Sequence, residues 1–204
     1  VYVKICGLRD ADVAQHAVNF GADAIGVVMG SLRPRDASPE TAAKIVSTVK
    51  AASTRVDTVL VVNRIPASEA AKMARDLGFD VLQLHGDAYE LEDFTEARAI
   101  LPRVWRATSL ATHPELQSGE YSEEHLLVDG AQPGSGETWD LARVKPGALG
   151  AEWILAGGLT PENVSAAISA TSPWGVDVSS GVESAPGVKD LARVERFIRA
   201  AKQS

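Results

Sequence analysis

Ala67-Ser68-Glu69-Ala70-Ala71-Lys72-Met73-Ala74-Arg75-Asp76-Leu77-Gly78-Phe79-Asp80-Val81-Leu82-Gln83-Leu84 holds one complete structural unit of this 204-residue chain. Ala67–Leu77 reads as an amphipathic helix, and Gly78 stands where a helix C-cap glycine belongs. Val81–Leu84 is then a short aliphatic run between Asp80 and His85-Gly86, the pattern of a strand buried in a parallel sheet. Working outward, the same alternation fills the chain. Runs at Val1–Ile5, Ala24–Val28, Asp57–Val62, Arg103–Ala107, His125–Val128, Trp153–Leu155 and Gly175–Val178 give the other strands. Asp10–Phe20 is followed by Gly21, while Ser38-Pro39-Glu40 and Thr160-Pro161-Glu162 each combine a capping hydroxyl with proline at the first helical position. The weakest unit is His113–Glu124, which has Pro, Gly and little apolar periodicity.

Eight strand–helix units leave about 25 residues each, which suits a compact α/β fold, a (β/α)₈ TIM barrel spanning residues 1–204 as a single domain. No Pro/Gly/Ser linker and no shift in composition marks a second domain. A doubly wound open sheet is the competing fold. It would be large at eight parallel strands, and no dinucleotide-type glycine fingerprint follows the first of them.

Composition excludes several classes of function. The formal charge is −7 and the pI near 5.1, against a general binder of nucleic acid or anionic membranes. No apolar run approaches the ~18 residues of a membrane span, and no basic-plus-apolar leader is read. Val1 already reads as strand, so a residue or two is expected to precede it. Aromatics make up only 5%, which calls for an aliphatic core. Cys6 is the one cysteine, so an intrachain disulfide is impossible and a reducing, cytoplasmic setting is expected. His16, His85, His113 and His125 have no ligand spacing, so no metal and no cofactor are expected. The expected partner is a small molecule, bound by a monomer or homodimer.

In such a barrel the chemistry lies at the C-terminal strand ends. Those ends carry Cys6, Arg33 and Arg35, Asn63, His85, Asp129, Gly157-Gly158, and Asp177 with Ser179-Ser180-Gly181. Parity sharpens the reading. Tyr2, Lys4 and Cys6 alternate with Val1, Val3 and Ile5; Gln83 and His85 alternate with Leu82 and Leu84; Asp177 and Ser179 alternate with Val176 and Val178. The purely apolar parity should face the helices and the mixed one the barrel interior. Polar groups therefore converge at one mouth. Asp177 falls on the same face as Lys4 beside the barrel closure, and a Lys4–Asp177 pair is expected, since an unpaired buried lysine would be costly. Gly157, Gly158, Ser179, Ser180 and Gly181 offer backbone N–H groups and hydroxyls in the loops after strands seven and eight, where barrels of this kind hold phosphate. The plainer alternative for Gly157-Gly158 is a tight turn.

Lys4-Ile5-Cys6-Gly7, Gln83-Leu84-His85-Gly86, Leu127-Val128-Asp129-Gly130 with Gly134-Ser135-Gly136-Glu137-Thr138, Ala156-Gly157-Gly158-Leu159 and Val176-Asp177-Val178-Ser179-Ser180-Gly181-Val182-Glu183 closely resemble the phosphoribosylanthranilate isomerase family. The resemblance runs over essentially the whole chain, in order. It implies a (β/α)₈ isomerase of tryptophan biosynthesis that converts N-(5-phosphoribosyl)anthranilate into 1-(2-carboxyphenylamino)-1-deoxyribulose 5-phosphate by an Amadori rearrangement. It also implies Asp129 as the general acid that opens the furanose ring, Cys6 as the general base at C2, and Arg35 as a substrate contact. Asp129 must then be held protonated, and Cys6 needs a positive neighbour, because a free thiol titrates near ~8.5. His85 either hydrogen-bonds substrate or satisfies a loop carbonyl. Asp177 is a further substrate-side candidate.

The chain departs from the family pattern at Arg33, where Ser is usual, and at Trp139-Asp140-Leu141, where Phe-Asp-Trp is usual; the loop Gly130–Gly136 is also short. Arg33 reads as solvated surface charge. Rival readings are the histidine-pathway isomerase, which places aspartates where this chain has Cys6 and Thr108, indole-glycerol-phosphate synthase, a flavin-mononucleotide oxidoreductase and a non-catalytic sugar-phosphate sensor.

Overall fold

Alternating burial along each aliphatic run closes the sheet on itself. The computed structural model describes residues 1–113, 115–129, 147 and 149–204. The strands are β1 (Tyr2–Ile5), β2 (Ala24–Val28), β3 (Asp57–Val62), β4 (Val81–His85), β5 (Val104–Ser109), β6 (Leu126–Asp129), β7 (Trp153–Leu155) and β8 (Gly175–Val178). They pair in that order, all parallel, and β8 returns to β1 with Lys4 opposite Asp177. This is the (β/α)₈ barrel expected from the repeat. Strand ends differ from the sequence reading by one or two residues; β5 runs on to Ser109 and β6 on to Asp129.

Parity separates two cores. Val3, Ile5, Leu60, Val62, Leu82, Leu84, Val176 and Val178 face outward and pack with the helices. Cys6, Val59, Val61, Val81, Trp105, Ala107, Leu127 and Ile154 form a separate interior cluster. The helices α1 (Ala11–Asn19), α2 (Pro39–Ala52), α3 (Ala67–Leu77), α4 (Leu91–Ile100), α5 (Val164–Thr171) and α6 (Leu191–Lys202) cover the outer core. α1 buries Ala11, Ala14 and Ala17, and α3 buries Ala67, Ala70, Ala71 and Ala74, small residues that let helix and sheet approach closely. The caps follow from sequence. Asp10 accepts from Asp12 N at 2.7 Å, Ser38 accepts from Thr41 N at 3.2 Å ahead of Pro39, and Gly78 ends α3 in the left-handed region.

Two expectations need correction. Thr160-Pro161-Glu162 does not open a helix: these residues form a turn, and α5 begins at Val164 after Asn163. The Thr160 hydroxyl still accepts from Glu162 N at 3.2 Å, but the Asn163 side chain, accepting from Thr160 N at 2.7 Å and donating to Gly158 O at 2.9 Å, clasps these residues as a turn ahead of the helix. Between β5 and β6 there is no α-helix among the described residues. Turns cover the barrel there instead. Arg106, outward on β5, stacks its guanidinium 3.7 Å from the centre of the Tyr121 ring, and Glu123 accepts from Gly119 N and Tyr121 N, each at 2.8 Å. A short hairpin of β9 (Glu183–Ala185) and β10 (Val188–Lys189) follows β8. The departures at Trp139 and Leu141 and the loop Gly130–Gly136 lie outside the described residues.

Candidate active site

A cavity of about 450 Å³ opens at the C-terminal mouth. Its lining brings together Cys6 from the end of β1, Arg35 after β2, His85 and Asp129 at the ends of β4 and β6, and Asp177 and Ser179 from β8 and just after it. Arg33 lines it too while remaining exposed, so the surface reading of that residue is incomplete. Gly157, Gly158, Ser180 and Gly181 are not part of this lining. They form the two loops next to Ser179.

Lys4 stands beneath the thiol. Its side chain is 0% exposed and donates from Nζ to Asp177 Oδ1 at 2.8 Å, the expected pair across the barrel closure. Burial works against the ammonium charge, but Asp177 and Cys6 more than offset it, and Lys4 titrates above its ordinary value. Gly26 on β2 makes this arrangement possible. A Cβ there would stand 2.9 Å from Cys6 Sγ and 3.2 Å from Lys4 Cε, so only glycine leaves both side chains their space. Burial pushes the Cys6 thiol up, Lys4 and Lys189 pull it back, and Asp177 adds to the rise; the net direction is upward. The thiol is therefore poised among charges but protonated at rest.

His85 Nε2 lies 3.7 Å from Asp129 Oδ2. Burial lowers the His85 pKa, and the Asp129 carboxylate only partly restores it, so the imidazole is neutral at neutral pH. Both side chains line the cavity.

Sequence reading missed an ionic network behind Arg35. Arg35 donates from Nε and Nη2 to the two Glu183 oxygens at 2.8 and 2.9 Å, and Lys189 Nζ reaches Glu183 Oε1 at 2.8 Å. Lys189 also donates to Ser179 O at 2.9 Å and Ser179 Oγ at 3.2 Å. Arg35 is thus held in place with Nη1 donating to no acceptor among the described residues. The signal for the hairpin that carries Lys189 was present in Pro186-Gly187, a turn dipeptide. Burial alone would raise the Glu183 carboxyl, yet Arg35 and Lys189 hold it down at about 2. A carboxylate in the unfolded chain titrates near ~4.3. The network's stability is therefore present above that value and is lost as pH falls through about 2. Glu183→Gln should cost about 3 kcal/mol at pH 7, because the buried Lys189 and the half-buried Arg35 lose their charge partner. Denaturant melts of both proteins across the acid range check this. The gap between them should narrow as pH falls toward 2, and a gap that stays constant would show that the charge is not its source.

The loops after β7 and β8 meet backbone to backbone. A Cβ on Gly181 would stand 1.8 Å from Leu159 O, so no other residue fits there. Gly157 and Gly158 both have left-handed φ, at +87° and +65°, as the tight-turn reading requires. Their N–H groups donate to no acceptor among the described residues. No group of three or more metal-ligating side chains occurs among the described residues.

A family model described as N-(5'phosphoribosyl)anthranilate isomerase matches residues 3–200. An N-(5'-phosphoribosyl)anthranilate isomerase from Geobacter sulfurreducens is 42% identical over 99% of this chain and 98% of its own. The crystal structure of TrpF from Jonesia denitrificans is 49% identical and superposes with a TM-score of 0.87 over 99% of this chain and 97% of that one. A phosphoribosyl anthranilate isomerase in complex with reduced 1-(o-carboxyphenylamino)-1-deoxyribulose 5-phosphate is 31% identical, with a TM-score of 0.85 over 100% of both chains.

Proposed function

Because the chain belongs to the N-(5'-phosphoribosyl)anthranilate isomerase family, isomerases of tryptophan biosynthesis, we propose that its mouth cavity performs the rearrangement with Asp129 as acid and Cys6 as base. Asp129 protonates the furanose ring oxygen. The C1–O bond then breaks as the anilino nitrogen lone pair forms the C1=N iminium. The Cys6 thiolate takes the C2 proton, and the C2–H electron pair becomes the C1=C2 bond of an enolamine. Return of a proton to C1, with loss of one from the C2 hydroxyl, leaves the ketone at C2. No atom is gained or lost.

The observation that carries this reading is the joint presence of Cys6 and Asp129 in one cavity, with the Lys4 ammonium below the thiol. A thiol needs a positive neighbour to act as a base, and the barrel closure supplies one. Arg35 presents its Nη1 edge to the substrate carboxylate or a ring hydroxyl, and a guanidinium suits either. His85 and Asp177 flank the reacting carbons. The phosphate sits on Gly157, Gly158, Ser179, Ser180 and Gly181, whose amides surround the join between two loops. The protein acts as a monomer or homodimer, and residues 1–204 act as one domain. Among the described residues no helix is long and apolar enough to cross a membrane. A base that works as a thiolate must stay reduced, which fits the cytoplasm.

The test is loss of anthranilate fluorescence with freshly made substrate, coupled to the enzyme that consumes the product. Turnover no faster than the spontaneous reaction would defeat the proposal. Inorganic phosphate should inhibit competitively. Density for soaked phosphate at the N-terminal mouth instead would move the phosphate site.

A further inference from the structure

Gln83 places an amide oxygen with no hydrogen-bond partner among the described residues in the wall of the reaction cavity. It is 1% exposed, it lines the cavity, and its buried Oε1 accepts from no donor among the described residues. Its neighbours give it nothing. The residues in register on either side are Val61 on β3 and Trp105 on β5, and the indole Nε1 of Trp105 already donates to Glu124. Asn63, beyond the end of β3, repeats the pattern: it lines the same cavity, and its buried Oδ1 also has no partner among the described residues.

A buried amide without a partner lowers the stability of the free protein, so a methionine or leucine would serve this slot better if packing were its only task. We infer that Gln83 is a substrate-contacting residue whose amide hydrogen-bonds a hydroxyl of the pentose segment. The inference rests on the proposed rearrangement and adds to it the residue that reads the sugar. Of the groups on that substrate, the phosphate and the carboxylate only accept at neutral pH, and the anilino N–H is engaged by its own ortho carboxylate. The hydroxyls remain. A hydroxyl both donates and accepts, so it satisfies the amide in either of its two orientations. β4 lies opposite β8 in the closed order, so Gln83 faces Asp177 across the cavity, away from the loops proposed for phosphate.

Gln83→Met keeps the length and removes the amide. It should weaken binding of the reduced product analogue about tenfold, as loss of one hydrogen bond to a buried hydroxyl does. The inhibition constant of inorganic phosphate should not change. The melting temperature should hold or rise, by up to about 2–4 °C, because an unpaired polar group has gone. A merely structural glutamine predicts the opposite: a lower melting temperature, with phosphate and analogue weakened together or neither weakened. Either of those results overturns the inference. A second arm changes the ligand as well. An analogue lacking the contacted hydroxyl should bind the parent enzyme about tenfold worse and should bind Gln83→Met as well as the full analogue does. If no single deoxy analogue shows that coupling, the contact is absent. Failure of the rearrangement itself reads differently, as a parent enzyme with no turnover.

Discussion

The Cys6→Ala enzyme is expected to turn over about 10²–10⁴-fold more slowly than the parent chain, while the reduced product analogue should bind both alike. The effect is this large because, among the described residues, no other thiol or amine of the lining stands at the end of β1 beside Lys4 and Asp177. The fold should survive, since Lys4 keeps its 2.8 Å contact with Asp177 when the thiol is removed. Cys6→Ser should be nearly as slow, because an alcohol yields far less oxyanion than a thiol yields thiolate. Alkylation reports the same group independently. Burial holds the thiol above its ordinary value, so inactivation by iodoacetamide should keep accelerating with pH past ~8.5, and the product analogue should protect. A Cys6→Ala enzyme that keeps more than about a tenth of parental kcat would remove Cys6 from the base role.

The parts that could be read from sequence were those that a local period determines. Alternation in Val1–Cys6 and Gly175–Ser179 assigned inside and outside, and that alone brought Lys4 to Asp177 before any coordinate was known. The same logic assembled Cys6, His85, Asp129 and Asp177 at one mouth. Long-range side-chain choice escaped it. Arg35 meets Glu183 across 148 residues, and no period in either segment states which cation a carboxylate will take. The start of α5 escaped for a different reason. The Thr160 cap bond forms as read, yet the Asn163 side chain ties this turn back to Gly158, and the helix begins only at Val164. Arg106 illustrates a third limit. On an outward strand position it reads as an anomaly until the turns after β5 supply Tyr121 and Glu120 to receive it.

Asp129→Asn should lose about 10²-fold or more in kcat/KM and should also change the shape of its pH dependence. The active form needs a protonated carboxyl and a thiolate together. Carboxyls titrate below thiols, and burial pushes Cys6 further up, so this form is the minority state at every pH. The parent profile then rises to the carboxyl's apparent value, runs flat, and falls above the thiol's, both values belonging to the coupled pair. An amide has no proton of that acidity to lose. The residual rate of Asp129→Asn should therefore climb through the former plateau up to the thiol's value and show no descending limb. Binding of the product analogue should persist, since the amide keeps the carboxyl's shape. Adding Cys6→Ala should cost far less than it does alone, because both residues serve one sequence of proton transfers. The competing acid is His85, 3.7 Å away. Its imidazole is held neutral by burial, so it gives up a proton readily only below its ordinary value near ~6.5. Ring opening by His85 would instead leave Asp129→Asn close to parental speed, with a rate that runs flat between the imidazole's value and the thiol's and still falls above the thiol's. Loss or retention of the descending limb in this one variant decides between the two acids.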